Sequence, residues 1–255
     1  MSKKTVLAVA VAILAFAQGA KAQTNLQTFY DFGQGRNHFT TTLEGFYADN
    51  WGNTFFFIDY DYAKAKGVKD DGGDAVIAPS SSYMEIARCL NFWGDVPVLK
   101  DFSLQVEYNG LVGVNQNFLF GIDYFLHSSD FRNTFNFKIL YKTFSKWAGA
   151  SSDLPVQFTF VWGMQDLFGV EGLRFSGFAD IWGENNVAWA EEPTSENFCK
   201  ESKFVFISEP QIWYNVGKLF GCPNFHIGSE IELSCHFAGS YGFKVRPCIG
   251  TKWVF

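Results

Sequence analysis

The sequence predicts an all-β protein, a transmembrane antiparallel β-barrel of about twelve strands in up-and-down order. Three observations predict it. The first is the segment F-K-V-R-P-C-I-G-T-K-W-V-F over 243–255, where Phe243, Val245, Ile249, Trp253 and Phe255 alternate with Lys244, Arg246, Cys248 and Lys252. Successive side chains of a strand point to opposite faces, so one face of this segment is charged and the other apolar. The second is that the same alternation recurs along most of the chain, which leaves little sequence to cover the apolar faces. A closed barrel with lipid outside and water inside needs no cover. The third is composition. Aromatic residues make up 19 % of the chain, with 30 Phe and 8 Trp, as the lipid-facing band and interfacial girdles of such a barrel require. A phenylalanine-rich soluble β-sandwich is the competing all-β reading.

The N-terminus carries an address. Lys3 and Lys4 precede an unbroken apolar run of 12 residues, Val6 to Ala17, and Ala20-Lys21-Ala22 offers a small-x-small cleavage site. This is the pattern of a secretory signal peptide over 1–22, too short to span a bilayer as a helix. Residues 23–255 then form one domain. Cleavage removes three lysines and no acids, so the formal charge moves from −6 to −9. The mature chain has no second long apolar run and therefore no transmembrane helix.

The strands follow in order. Segment 24–33 brings Asp31 to the inner face, 37–48 brings Glu44, and 53–64 brings Phe55, Phe57, Asp59 and Asp61. Segment 82–92 places Glu85 there. In 101–109, Phe102, Leu104, Val106 and Tyr108 face lipid, opposite Ser103, Gln105, Glu107 and Asn109. Segment 117–127 contributes Asp123 and Phe125. In 133–144, Phe135, Phe137, Ile139 and Tyr141 oppose Asn136, Lys138 and Lys142. Segments 154–165 and 203–215 complete the count, with 171–183 between them carrying Arg174, Phe178, Asp180 and Trp182 inward. In 223–236, Phe225, Ile227, Ile231 and Leu233 oppose His226, Glu230 and Glu232, and 241–255 turns Lys244 and Arg246 inward. Most segments have the ~9–11 residues a tilted membrane strand needs, or slightly more.

The connections fit an even strand count with both termini periplasmic. The turns at 49–52, 128–132 and 166–170 are short and fall on the periplasmic side. The longest gaps, 65–81 and 184–202, fall on the outer side and are rich in Gly, Ser, Asp, Glu and Lys, as solvated loops are. The outer gaps at 34–36, 110–116 and 237–240 are short, and the periplasmic segment 93–100 is long. The five cysteines, Cys89, Cys199, Cys222, Cys235 and Cys248, are odd in number for an oxidising compartment and show no CxxC or zinc spacing. Cys89 and Cys235 lie inside strands as small apolar residues. One local disulfide is compatible with the pattern and no pairing is assigned.

The inner face is unusual. Charges of both signs facing lipid would cost up to about 2–4 kcal/mol each near the midplane, and facing water they cost little. Aromatic rings on the same wet wall have a use in stacking bases or sugars; a base on an aromatic ring gains about 1–3 kcal/mol.

Three segments carry a resemblance: L-E-G-F-Y-A-D-N-W (Leu43 to Trp51), Y-M-E-I-A-R (Tyr83 to Arg88) and D-L-F-G-V-E-G-L-R-F-S-G-F-A-D-I-W-G (Asp166 to Gly183). Together they make the chain similar to the Tsx-type nucleoside-specific channels of Gram-negative outer membranes and the barrel proteins related to them. The resemblance covers most of the mature chain through short, loosely spaced motifs. It implies a twelve-stranded monomeric barrel with a narrow lumen, selective through aromatic and ionisable lumen residues. Glu44 and Glu85 match acidic family positions, and the region of Phe178 and Trp182 matches an aromatic strand. A family proline near Ala87-Arg88 is absent. The terminal strand ending on Phe255 also resembles the C-terminal signal read by the barrel-assembly machinery.

The reading is therefore an outer-membrane channel for passive, selective diffusion of small solutes, nucleosides by resemblance. It lies in outer-membrane lipid as a monomer and uses no cofactor or metal. The substrate-facing residues are Glu44, Phe55, Phe57, Asp59, Glu85, Arg174, Phe178, Asp180 and Trp182. Ring faces take the base, and charged groups bond ribose hydroxyls. Bland readings stand beside these roles. Glu44, Asp59 and Arg174 pair across a filled lumen, Phe55 and Phe57 simply pack, or Asp59 and Asp61 hold water or cations near the outer rim. Two other classes are weighed: a plugged barrel serving as a structural or receptor protein, and an outer-membrane lipid-modifying enzyme. The enzyme needs a nucleophile and base on the lipid face. His38, His127, His226 and His236 fall on the inner face or at strand ends, and no GxSxG is present. No basic patch suits a nucleic acid polymer, and the net charge opposes one.

Overall fold

The computed structural model describes residues 21–34, 36–69, 75–110, 116–145 and 150–255. Apart from its last two residues, the expected leader lies outside the described residues. One antiparallel sheet accounts for almost all of the rest. Its strands are β1 (Lys21–Asp31), β2 (His38–Asp49), β3 (Gly52–Lys69), β4 (Ala75–Leu90), β5 (Phe102–Gly110), β6 (Asn117–His127), β7 (Asn133–Lys142), β8 (Val156–Gln165), β9 (Leu173–Val187), β10 (Glu201–Ser208), β11 (Gln211–Tyr214), β12 (Phe225–Cys235) and β13 (Phe243–Val254). Sequence neighbours pair around the wall, and β13 returns to β1 with Leu26 opposite Trp253 and Tyr30 opposite Ile249. The Phe255 N–H completes the seam by donating to the Thr24 carbonyl at 2.9 Å. The sheet is thus a closed barrel with no free edge.

β10 and β11 are two halves of one stave, so twelve staves close the wall. Both halves lie between β9 and β12. Ile207 pairs with Asp180 and Gln211 with Ser176, four residues apart on both strands. The register therefore runs through the break at Glu209-Pro210. Proline has no N–H to offer, which explains the gap in the ladder. Around it, the Glu209 N–H donates to the Phe178 carbonyl at 3.0 Å and the Ile231 N–H to the Pro210 carbonyl at 3.1 Å. Gly177 makes room for this detour. Its φ is +157°, and a Cβ there would lie 2.4 Å from the Glu209 carbonyl oxygen. Gly177→Ala should cost about 1–3 kcal/mol through overpacking, read as a lower urea midpoint; an unchanged midpoint would show that the wall yields freely there.

Each of the twelve strand segments read from the sequence is present, with one correction. The gap at 65–81 is not a loop of that length: β3 continues to Lys69 and β4 begins at Ala75. The charged, glycine-rich stretch extends a hairpin instead, and only 70–74 fall outside the described residues. The turns at 50–51, 128–132 and 166–172 lie at the end of the barrel where β1 begins and β13 ends, called here the terminal mouth. The opposite end is the loop mouth. Exposed rings of Trp51, Phe92, Phe131, Phe168 and Phe220 ring the terminal mouth, as an interfacial girdle does.

The two faces separate by parity. On the outside, Leu104, Val106, Ile122, Phe137, Ile139, Phe158 and Ile249 are exposed. On the inside, Gln27, Gln105, Glu107, Asp123, Lys142, Glu232 and Lys252 are buried. This inverts the usual soluble order and is what a barrel solvated by lipid requires. All five cysteines are free thiols.

Candidate channel lumen

Cross-strand pairing fixes which side chains meet on the inner wall. Glu44 on β2, Phe57 on β3 and Glu85 on β4 form one row, and Thr42, Asp59 and Tyr83 form the next. Phe55 packs on Phe57 with ring centroids 6.0 Å apart, and Phe57 on Tyr83 at 5.6 Å. These three rings make a continuous aromatic strip flanked by carboxylates. Asn25 Nδ2 donates to Glu44 at 2.8 Å, and Thr42 Oγ1 to Asp59 at 2.6 Å. Thr40 Oγ1 lies 2.8 Å from Asp61 and 2.9 Å from Asp31. All of Glu44, Phe55, Phe57, Asp59, Tyr83 and Glu85 are half-buried, so solvent reaches this side of the lumen.

The facing wall carries Arg174, Phe178 and Asp180, also half-buried. Glu85 lies in the fields of Glu107 and Asp180 as like charges and of Lys138 and Lys142 as opposite charges. Groups from β4, β5, β7 and β9 therefore act on one another across a narrow lumen. The suggested pairing among Glu44, Asp59 and Arg174 does not occur. The two acids are held by Asn25 and Thr42, and Arg174 makes no ion pair among the described residues.

Trp182 sits on the inner face but is closed off. It packs with Val205 and Ile207, with Phe178, Phe144 and Phe237 around them. Its Nε1 donates to Glu184 at 2.6 Å, and Lys142 Nζ lies 3.9 Å above its ring. Lys142 also donates to Gln157 at 2.9 Å. Trp182 thus holds a buried lysine by a cation–π contact and presents little ring surface to a solute.

The loop mouth is partly capped. Arg36, from the connection between β1 and β2, reaches Glu232 and lies 3.3 Å from Asp31. Arg246 bonds Glu232 at 2.5 Å, Ser240 at 3.2 Å and the Gln34 carbonyl at 3.2 Å. Glu232, 2 % exposed, is therefore clasped by two guanidiniums. Nearby, the Tyr241 backbone N–H and Lys244 hold the Glu191 carboxyl below the usual carboxylate range. Phe237 descends from the β12–β13 connection onto Trp182 with ring centroids 6.4 Å apart. Through these contacts the connections after β1, β9 and β12 cover the mouth on the side of β12 and β13.

Several lumen groups lie outside the set read from the sequence. Tyr83 completes the aromatic strip, Glu209 bonds the Phe178 carbonyl through its N–H and lies in the fields of Glu230 and Glu232, and Lys252 is buried against Trp213. For Glu209 and Lys252 the signal is parity, counted through Pro210 in one case and along 243–255 in the other. Arg36 comes from a connection, where alternation says nothing.

Comparison with known proteins follows the fold. A family model described as a domain of unknown function (DUF5020) matches residues 22–255. No curated protein matches. Among solved structures, the NanC porin is 8 % identical and aligns with a TM-score of 0.52 over 90 % of this chain and 98 % of its own. A BenF-like porin from Pseudomonas fluorescens Pf-5 aligns at 10 % identity and a TM-score of 0.40, over 94 % and 99 % of the two chains. OccAB3 of Acinetobacter baumannii aligns at 7 % identity and 0.38, over 93 % and 99 %. The likeness to NanC is one of fold: a closed antiparallel porin barrel.

Proposed function

Because the chain belongs to the DUF5020 family, whose model spans residues 22–255, and closes as a porin-type barrel, we propose that it is an outer-membrane channel for passive diffusion of small solutes. One observation carries the reading. A wall that is apolar outside encloses a charged, partly solvated face, where the Phe55–Phe57–Tyr83 strip runs beside Glu44, Asp59 and Glu85. A lumen of this kind offers a row of weak sites, firm enough to admit a solute and loose enough to release it.

Nucleosides are the proposed solutes. The sequence resemblance to Tsx-type channels supports them, and so does the chemistry of the strip. Rings of Phe57, Tyr83 and Phe178 stack the base, and Glu44, Asp59, Glu85 and Asp180 accept from ribose hydroxyls. Arg174 and Phe55 line the same route, and Trp182 fixes Lys142 behind it. The terminal mouth is periplasmic in this reading, and Phe255 is the signal for barrel assembly.

A capped barrel with a structural or receptor role is the second reading. The clasp of Arg36, Glu232 and Arg246 favours it. Planar-bilayer recording separates the two. The channel gives small single-channel steps that added adenosine reduces, and in Phe178→Ala the half-blocking concentration rises about tenfold, the value of one stacking contact. Steps untouched by any nucleoside would remove the nucleosides and keep the pore; no steps at all would favour the cap.

A further inference from the structure

Two cations of the inner wall form no ion pair among the described residues. Lys252 is 6 % exposed, and its Nζ lies 4.1 Å above the ring of the buried Trp213. It makes no hydrogen bond or ion pair among the described residues. Arg174 stands opposite Trp213 in the ladder. Its Nε is shut away from solvent without an acceptor. The two residues act on each other as like charges. The acids whose fields reach Lys252 are Glu44 and Glu230. Glu44 accepts from Asn25 at 2.8 Å and Glu230 from Gln211 at 2.5 Å, and neither forms an ion pair with Lys252.

A third unsatisfied group adjoins Lys252. Gln27 faces Lys252 across the β1–β13 seam. Its Nε2 donates to Asn25 at 2.8 Å, while its Oε1, almost fully buried, has no donor. A sealed cation without a partner is costly, and so is a buried carbonyl oxygen without one. Two positive donors beside one acceptor suit an anion with a hydroxyl next to it. Charge-assisted hydrogen bonds are the strongest available for that purpose.

We infer that Arg174, Lys252 and Gln27 form a subsite for the anionic end of a permeating solute, a carboxylate or phosphate carrying a neighbouring hydroxyl. Arg174, half-buried on the lumen side, contacts the anion. Lys252 adds a second charge from behind, held in place by Trp213. Gln27 accepts from the hydroxyl. The inference rests on the channel reading and extends it from neutral solutes to hydroxylated anions.

The test uses the purified full-length barrel in planar bilayers with glycerol 3-phosphate, lactate and uncharged glycerol as probes. The expected result is block by at least one of the two anions and none by glycerol. In Lys252→Met and Arg174→Met the half-blocking concentration should rise about tenfold or more, as loss of a charged hydrogen bond implies. Lys252→Arg should restore most of the block. A barrel that conducts but ignores both anions, or whose two methionine variants are blocked as readily as the wild type, overturns the subsite and leaves the channel standing. Absence of any conductance overturns both. If a methionine variant fails to fold, calorimetric titration of the wild-type barrel in detergent decides. Binding heat with glycerol 3-phosphate that glycerol lacks supports the subsite, and no heat sinks it.

Discussion

Glu232→Ala should destabilise the barrel by about 3–5 kcal/mol, the usual cost of removing one partner from a buried ion pair. Glu232 is 2 % exposed and holds Arg36 and Arg246 together. Without it, two guanidiniums near the loop mouth lose their shared acceptor, and among the described residues Arg36 keeps its ion pair with Asp31 at 3.3 Å. The connection between β1 and β2 should then leave the lumen, and unitary conductance should increase. Arg36→Ala separates the two effects. It frees the same connection while Arg246 continues to satisfy Glu232, so conductance should rise with a smaller loss of stability. Urea titration in lipid vesicles reads the first quantity and bilayer recording the second. A loss below about 1 kcal/mol for Glu232→Ala, the range of an exposed pair, would show that the clasp is solvated and does not cap the mouth.

Ile139→Arg should cost about 2–4 kcal/mol of folding free energy in a bilayer, the penalty for a charge on the lipid face near the midplane. Ile139 lies in mid-strand on β7 and is 59 % exposed. On a soluble protein, arginine at such a site would change stability by no more than about 0.5 kcal/mol. The contrast decides what solvent the outer face meets. Ile139→Val should stay within about 1.5 kcal/mol as a small apolar change. A bilayer titration in which arginine and valine behave alike would refute the lipid-facing assignment.

Period-two alternation made the staves legible because both faces of a barrel wall are strictly sorted, one by lipid and the other by water. The row Glu44–Phe57–Glu85 and the inward phase of Asp59, Arg174, Phe178 and Asp180 follow from it. Alternation gives a residue's face but not its neighbours. It therefore could not show that Trp182 packs against Phe237 and Lys142, or that Arg174 forms no ion pair among the described residues. Loop signals also misled. The Gly- and Asp-rich stretch after Ala63 reads as a loop, yet the β3–β4 pairing continues beyond it as far as Lys69 and Ala75. The segment 203–215 reads as one strand, and the register indeed passes through Pro210 unchanged, but Glu209 is not among the inward residues read from it. Arg36 was beyond reach, since a connection folded back into a barrel leaves no periodic trace.

The seam between the first and last strands has a consequence for how the chain matures. Every other stave zips to its immediate predecessor, so hairpins can form one after another at small entropic expense. Only the union of Leu26 with Trp253 joins opposite ends of the polypeptide. Locking that circle is the single remote event in the topology, and remote events are the slow ones. Until it happens, both rims of the growing ribbon stay unpaired and sticky, and an escort that shields them would be needed most at that final moment.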